Sequence, residues 1–173
     1  MYNEEETIGS VVTRALRYVD EVICIDDGSS DASARIAEAC GATVIRHRVN
    51  RGYGGALKTL FLRASQLDAD ALVLLDSDGQ HETADIPKLL KPILDGEADF
   101  AIGSRFVDGG GGTDMPAYRR LGIKVITAAS NLSSDLGIKD TQSGFRAFSR
   151  TALERLRFDS EGMELSLEML EDA

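Results

Sequence analysis

Short apolar runs alternate regularly with segments of helical periodicity, and this alternation constrains the fold more than any other feature. Residues 71–75 (ALVLL) are apolar throughout and are followed by Asp76, and residues 22–25 (VICI) are followed in the same way by Asp26. Strands that read as continuous apolar runs, separated by helices, are typical of a mostly parallel sheet covered on both faces. The pattern therefore predicts one α/β domain over residues 1–173.

The expected helices and strands follow one another along the whole chain. Apolar side chains recur at helical spacing after Glu5, and Ser30 with Asp31 provides a cap for the second helix. The predicted strands are residues 22–25, 43–46, 71–75, 100–104 and 145–148. The predicted helices are residues 5–18, 31–39, 52–67, 86–94 and 120–136, with short ones around Leu153 and Leu156 and over 165–170.

Both ends of the chain look abrupt for a complete fold of this class. Residues 1–5 (MYNEE) read as a loop that enters a helix directly, although a βα unit needs an apolar strand first. Residues 171–173 come just after an apolar, helix-like stretch. We therefore expect a domain truncated at its N-terminus, lacking the first strand, and possibly at its C-terminus. An incomplete sheet edge would invite pairing with a second chain.

The net charge, the cysteines and the hydropathy limit the possible binding partners and the cellular location of the protein. A net charge of -10 argues against a nucleic-acid backbone, although a metal ion or local arginines still allow a phosphorylated small molecule. Cys24 and Cys40 lack metal-ligand spacing and lie in apolar segments, so we expect reduced thiols and a cytoplasmic protein. No apolar run approaches the ~18 residues of a membrane span. Any membrane contact is therefore expected to be peripheral.

The segment from Asp76 to Gln80 carries the strongest chemical signal. Asp76, Asp78 and Gln80 alternate, so on an extended backbone they would project from one side of the strand end. Two carboxylates and an amide oxygen suit Mg²⁺ or Mn²⁺, with water and substrate phosphates filling the remaining positions. The alternative is a solvated acidic turn in which Asp76 caps a helix.

Two further segments follow predicted strands, where ligands of open α/β sheets bind. Asp26 and Asp27 can accept hydrogen bonds from a nucleobase or ribose, or can simply form a turn before a helix. The glycines of residues 52–55 permit close backbone approach at a helix N-terminus. They do not form G-x-G-x-x-G, which disfavours a dinucleotide site.

Isolated basic residues add weaker signals. Four arginines adjoin predicted element boundaries and together suggest a phosphate-bearing ligand, although each alone is typical of a surface residue or a structural ion pair. His81 is a candidate fourth metal ligand, but we favour a solvated loop histidine, and His47 at a strand end carries no clear signal. The four arginines are Arg105, Arg119, Arg120 and Arg146.

Six strings, taken in order and covering nearly the whole chain, resemble family 2 glycosyltransferases of the GT-A fold. They are YNEEETI, VICIDDGSSD, NRGYGGALKTLF, LLDSDGQH, AIGSRF and DTQSGFRAFSR. The likeness is strongest to the branch of dolichyl-phosphate mannose synthases and polyprenyl-phosphate glucosyltransferases. It implies a Rossmann-like, mostly parallel sheet with helices on both faces.

The resemblance also implies a role for individual residues. Asp78, Asp140 and Arg105 match catalytic positions, with Asp140 standing where related enzymes place a candidate base. Arg120 competes with Arg119 for one of the acceptor positions. The donor-binding set is Tyr2, Glu4, Asp26, Asn50, Gly52 and Asp76; the metal set is Asp76, Asp78 and Gln80; the acceptor-phosphate set is Arg105, Arg119, Ser143 and Arg146.

The implied reaction is inverting transfer of a sugar from a nucleotide sugar, of the GDP-mannose or UDP-glucose type, to a polyprenyl or dolichyl phosphate at a membrane surface. A family 2 transferase acting on a saccharide is an alternative, although S-G-F-R stands here where processive members usually show Q-x-x-R-W. A sugar-1-phosphate nucleotidyltransferase is disfavoured, because no glycine-rich signature follows the first strand. A catalytically silent binding module is disfavoured by the intact Asp76, Asp78, Gln80 and Arg105.

Overall fold

The computed structural model describes residues 1–104, 122–126 and 144–155. Within these ranges it has five α-helices, six strands and one 3₁₀ turn. The helices are α1 (Ile8–Ala15), α2 (Ser33–Ala39), α3 (Gly52–Ala64), α4 (Ile86–Leu94) and α5 (Arg150–Arg155), and the 3₁₀ turn is Thr83–Asp85. The strands are β1 (Ile23–Asp26), β2 (Thr43–Arg46), β3 (Ala71–Leu74), β4 (Phe100–Ser104), β5 (Gly122–Ile126) and β6 (Arg146–Ser149).

The strands form two sheets of different character. Strands β1 and β2 pair in parallel, whereas the second sheet has the order β3-β6-β4-β5 and only antiparallel pairs. Because β6 runs opposite to both β3 and β4, these two strands are parallel to each other with β6 between them. The predicted α/β class is confirmed, and the inserted strand β6 accounts for the antiparallel pairs of this sheet. A strand that is apolar throughout is expected to be buried on both faces, but its composition does not determine whether it runs parallel or antiparallel to its neighbours.

One predicted helix is corrected by the structure. We expected a helix over residues 120–136, but Gly122–Ile126 is strand β5, paired with all five residues of β4. The stretch contains Ile123, Val125 and Ile126, whose branching at Cβ favours an extended chain. Pairing along the edge of β4 then satisfies the backbone. Residues 127–136 lie outside the described part of the chain.

Apolar side chains pack on both faces of the four-stranded sheet. On one face, Leu57 and Phe61 of α3 contact Phe148 of β6, and the rings of Phe61 and Phe148 meet edge to face with centroids 5.3 Å apart. On the other face, the buried side of α4 packs against Phe145 and Ala147. A third cluster joins α1 and α2 beneath the two-stranded sheet. Because successive side chains of β6 point to opposite faces of the sheet, this strand contributes to the core on both sides.

A cleft separates β1 from β3. It has a volume of about 1040 Å³ and is lined largely by apolar side chains of α1, α3, α4, β1 and β3. At its mouth the Met1 amino group donates to Ile25 O (2.8 Å), and Asp27 N donates to Met1 O (3.0 Å). This is the bridge pattern of a parallel strand beginning on the edge of β1. The expected lack of a first strand stays a prediction.

The described residues also bear on the thiols and on membrane contact. Cys24 and Cys40 are both free, and burial raises the pKa of the Cys24 thiol to about 11. Within these residues, no helix combines the length and the apolar character that crossing a bilayer requires.

Candidate active site

Asp26, at the end of β1, is fully buried. Its Oδ1 accepts a hydrogen bond from Ser29 N (3.0 Å), and its Oδ2 lies 2.9 Å from Arg46 Nε, in an ion pair without the alignment of a hydrogen bond. A buried carboxylate is stable only when such partners compensate its charge. In this structure Asp26 organises the turn after β1. Its predicted contact with the nucleoside stays a prediction.

Asp27 is the centre of a buried network that the sequence analysis missed. Its Oδ1 lies 2.6 Å from His47 Nδ1 and accepts a hydrogen bond from Arg51 N (2.9 Å), while His47 Nε2 lies 2.8 Å from Thr59 Oγ1. Burial opposes ionisation of Asp27, but hydrogen bonds from His47 and from the backbone of Arg51 and Gly52 outweigh it and lower the carboxyl pKa. The network fixes the segment after β2 between β1 and α3.

The N-terminal segment is held against the turn that follows β1. Asn3 N donates to Ser29 Oγ (2.9 Å), and Glu4 N donates to Ser33 Oγ (2.7 Å). On its other side, Thr7 Oγ1 donates to Ser77 O at 2.8 Å, its shortest contact. The segment carrying Tyr2 and Glu4 therefore connects the β1 turn with the acidic turn after β3.

The acidic segment after β3 is a turn, which corrects the expected extended backbone. Gln80 N donates to Asp78 Oδ1 at 2.9 Å, and Gly79 has a φ of +75°, a value that side-chain-bearing residues rarely adopt. Asp76 does not cap the helix that follows; Glu82 does, accepting from Ala84 N. Asp76 is partly buried, whereas Asp78 and Gln80 are exposed.

His81 is not the solvated loop histidine that we favoured. Its side chain is only 7% exposed, its Nε2 lies 3.1 Å from Asp76 Oδ2, and its ring stacks on Phe145 with centroids 5.4 Å apart. A polar residue after a turn usually remains in water, and the sequence gives no signal that residue 145 returns beside it. The contact depends on pairing between β3 and β6, which are separated by more than seventy residues.

The structure gathers most of the predicted donor-side residues around one space. The mouth of the cleft is lined by Tyr2, Glu4, Asp27, Asn50, Gly52, Asp76 and Asp78. These residues come from four separate segments of the chain, brought together at the carboxyl ends of β1 and β3. Asp26 and Gln80 do not line this cavity. The gathering places two carboxylates of the acidic turn opposite the segments expected to embrace a nucleoside.

The donor atoms at this mouth suit a hard divalent cation. Within the described ranges no three His, Cys, Asp or Glu side chains cluster closely enough to hold a metal. The predicted set instead has two carboxylates and one amide, a composition that Mg²⁺ accepts when waters and phosphate oxygens complete its shell. In the same ranges, no Lys or Arg forms an ion pair with Asp76 or Asp78.

The predicted acceptor side falls mostly outside the described residues. Arg105, Arg119, Arg120, Asp140 and Ser143 all lie there. Arg146 is described and is 1% exposed within β6. That burial does not favour direct contact with an acceptor phosphate, so its role, like those of the other residues, stays a prediction.

Comparisons with known proteins identify the family of the chain. The model of the family described as Glycosyl transferase family 2 matches residues 1–157. A UDP-N-acetylglucosamine–dolichyl-phosphate N-acetylglucosaminyltransferase of Methanococcus voltae is 32% identical, over 90% of this chain and 69% of its own length. A dolichol-phosphate mannosyltransferase of Pyrococcus furiosus is 33% identical, over 98% of this chain and 50% of its own.

Among solved structures, glucosyl-3-phosphoglycerate synthase from Mycobacterium tuberculosis, in complex with Mn²⁺, UDP-glucose and phosphoglyceric acid, superposes with a TM-score of 0.70. The two are 31% identical, and the match covers 99% of this chain and 61% of that one. The chain thus spans less than two thirds of that structure. The protein is a glycosyltransferase of the GT-A fold and belongs to glycosyl transferase family 2.

Proposed function

We propose that this protein transfers a sugar, with inversion, from a nucleotide sugar to a polyprenyl or dolichyl phosphate at a membrane surface, with a divalent cation at Asp76 and Asp78. One observation carries the proposal: Tyr2, Glu4, Asn50 and Gly52 line the same cavity mouth as those two carboxylates. A nucleoside diphosphate requires both, because polar residues bind the nucleoside and a cation binds the diphosphate. The proposal includes action at the cytoplasmic face of the membrane.

The donor half of the proposal assigns distinct tasks to the gathered residues. The segment of Tyr2 and Glu4 faces the nucleoside, and the backbone around Asn50 and Gly52 approaches it from the other side. Gly52 N is already held by Asn50 Oδ1 (2.9 Å), so this loop is ordered before a ligand binds. Ordering a loop in advance lowers the entropic cost of binding.

The chemical step requires charge stabilisation more than proton transfer. Asp76, Asp78 and Gln80 would hold Mg²⁺ or Mn²⁺, which when bound offsets the charge developing on the leaving diphosphate. A phosphate oxygen of the acceptor is already ionised at neutral pH, so a strong general base is unnecessary. In this proposal Asp140 orients groups. Arg105 and Arg119 hold the acceptor phosphate in line with the anomeric carbon.

The acceptor class rests on similarity to named proteins. The relatives from Methanococcus voltae and Pyrococcus furiosus carry dolichyl-phosphate and dolichol-phosphate in their names. The solved structure with a TM-score of 0.70 holds phosphoglyceric acid instead, which favours a small phosphorylated acid as the second candidate acceptor. Both acceptors present a phosphate to the protein, and they differ in whether an apolar chain must be accommodated.

A transfer assay distinguishes these acceptors. UDP-glucose, GDP-mannose and UDP-N-acetylglucosamine are each offered with Mn²⁺, against polyprenyl phosphate in detergent or 3-phosphoglyceric acid in buffer. We expect a glycolipid product from one donor and none when EDTA replaces Mn²⁺. Product from phosphoglyceric acid alone would refute the lipid acceptor, and product that persists in EDTA would refute the cation.

Donor identity is tested separately by thermal stabilisation. A nucleotide present at about 100 times its dissociation constant stabilises the folded state by roughly 2.7 kcal/mol. We expect one nucleoside diphosphate, with Mn²⁺, to raise the midpoint of unfolding more than the others do. No shift with any nucleotide would contradict the donor assignment.

A further inference from the structure

The pairing of β3, β6 and β4 brings four residues of distant segments side by side. The β3–β6 register ends at Leu74 opposite Arg146, and its continuation by two residues sets Asp76 opposite Gly144. In the same way, the β4–β6 register continues to set Gly103 opposite Phe145, and Gly103 N donates to Phe145 O at 2.8 Å. The carboxylate of Asp76 thus lies beside the start of β6.

Both glycines in this arrangement leave space that a side chain would fill. A Cβ added at Gly144 would lie 2.0 Å from Asp76 Oδ2, and one added at Gly103 would lie 2.5 Å from Cδ1 of Phe145. Neither contact is sterically possible without movement. The Asp76 carboxylate therefore packs against the backbone of Gly144, in the space that a Cβ would occupy. In the same way, the Phe145 ring occupies the space beside Gly103.

His81 holds the carboxylate from another side. Its ring lies 23° from the plane of the Phe145 ring, and Phe145 is 1% exposed. An ionised carboxylate can only accept, so Nε2 of His81 carries the hydrogen that it shares with Asp76 Oδ2. Within the described part of the chain, Asp76 has no other side-chain hydrogen bond.

We propose that His81 is a positioning residue: clamped on Phe145, it orients the Asp76 carboxylate over Gly144 so that this carboxylate presents an oxygen to the divalent cation. The inference rests on the proposed function, since it assumes that Asp76 is a ligand. It assigns residues 144 and 145 of the G-F-R stretch to support of the cation site, a task distinct from the acceptor contact expected of Ser143 and Arg146.

Packing alone does not account for this arrangement. A ring that only filled space beside Phe145 would have no need of a nitrogen facing a carboxylate that is 37% exposed to solvent. An exposed carboxylate left without this hydrogen bond would rotate among several orientations, and a cation would then have to order it on binding. Hydrogen-bonded groups behind metal ligands typically change metal affinity by about 10–100-fold when they are removed.

The test compares two substitutions of the same residue. His81→Phe keeps a ring to stack on Phe145 but removes the donor, whereas His81→Gln keeps an N–H near the position of Nε2. Mn²⁺ binding is measured by electron paramagnetic resonance of the free ion, first with Mn²⁺ alone and then with UDP or GDP. We expect Mn²⁺ affinity to fall about 10–100-fold in His81→Phe and to fall only a few-fold in His81→Gln.

Raising the Mn²⁺ concentration separates positioning from a general structural role. Excess Mn²⁺ should restore nucleotide binding to His81→Phe, because only the orientation of one ligand has been lost. Binding that excess Mn²⁺ does not restore, in a folded variant, would overturn the proposal. If His81→Phe binds Mn²⁺ as the unaltered protein does, His81 has no such role and the proposed function stands. If the unaltered protein shows no Mn²⁺-dependent nucleotide binding, the proposed function fails and the inference with it.

Gly144→Ala provides a second test that leaves His81 in place. Its Cβ would displace the Asp76 carboxylate, so Mn²⁺ affinity should again fall about 10-fold or more. Gly9→Ala in α1 is the matched control, because its Cβ would meet only the side chains of Ile36, at 3.0 Å, and Cys40, at 3.5 Å. Circular dichroism confirms that each variant is folded. Equal Mn²⁺ affinity in folded Gly144→Ala and Gly9→Ala would contradict the inference.

Discussion

An apolar strand joined in front of Met1 should stabilise the protein by filling the cleft between β1 and β3. Met1 already makes the first parallel bridge to β1, through Ile25 O and Asp27 N. Five residues added before it would extend about 16 Å, enough to run along the whole of β1. The cleft has a volume of about 1040 Å³, and apolar side chains line it on both the β1 side and the β3 side. The added strand should therefore be apolar throughout, and we choose Val-Ile-Val-Val-Ile.

The expected magnitude follows from burial and ordering. Burying five such side chains contributes about 2 kcal/mol each, roughly 10 kcal/mol in all. Ordering five residues costs about 1.5 kcal/mol each, roughly 7.5 kcal/mol. The free energy of unfolding should therefore rise by about 2–3 kcal/mol. In a chain of this size that raises the unfolding midpoint by roughly 4–12 °C.

The assay is thermal unfolding followed by circular dichroism, with size-exclusion chromatography to confirm that the sample is monomeric. The matched control is an extension of equal length, Gly-Ser-Asp-Ser-Gly, which cannot bury apolar surface. We expect the apolar extension alone to raise the midpoint. Equal midpoints for the two extensions would refute the reasoning, since they would show that the cleft does not accept a strand from this end.

Four other changes test separate parts of the structure. Asp78→Ala should abolish Mn²⁺-dependent binding of a nucleoside diphosphate in calorimetry, and unchanged binding would reject the metal assignment. Arg105→Ala should lose transfer to polyprenyl phosphate while donor affinity is kept; equal transfer would reject that role. His47→Phe removes the side-chain hydrogen bond to Asp27 and should cost about 2–3 kcal/mol in urea unfolding, with weaker nucleotide binding; an unchanged midpoint would contradict the network. Because burial raises the Cys24 pKa from 9.0 to about 11, the contribution of Cys24 to stability should be constant below pH 9 and fall by about 2.7 kcal/mol between pH 9 and 11, a loss that Cys24→Ala but not Cys40→Ala removes.

Local patterns predicted most of the elements because the elements obey local rules. The strand at residues 43–46 and the helix at residues 86–94 were predicted with the bounds that the structure shows. Each has an apolar pattern whose period belongs to one kind of structure. Strand β5 was missed because a mixed run such as LGIKVI fits either period, and pairing along β4 decided between them.

Sequence patterns did not predict the contacts between segments that are distant along the chain. His47 carried no signal, because its two partners, Asp27 after β1 and Thr59 on α3, come from other segments of the chain. His81 was misjudged for the same reason: its burial depends on Phe145, which β6 inserts between two parallel strands. The metal role of the two carboxylates stays a prediction, and the turn that presents them depends on Gly79 and on Asp78 accepting a hydrogen bond from Gln80 N.

The candidate site and the cleft beneath it are held by different interactions. At the mouth, Thr7 Oγ1 donates to Ser77 O, and Arg14 pairs with Glu82, so α1 is tied directly to the segment after β3. Neither contact involves the apolar lining deeper between the sheets. Filling that lining should therefore change the free energy of unfolding much more than nucleotide affinity. Equal changes in the free energies of unfolding and of nucleotide binding would contradict this separation. They would show that packing in the cleft also determines the position of Asp76.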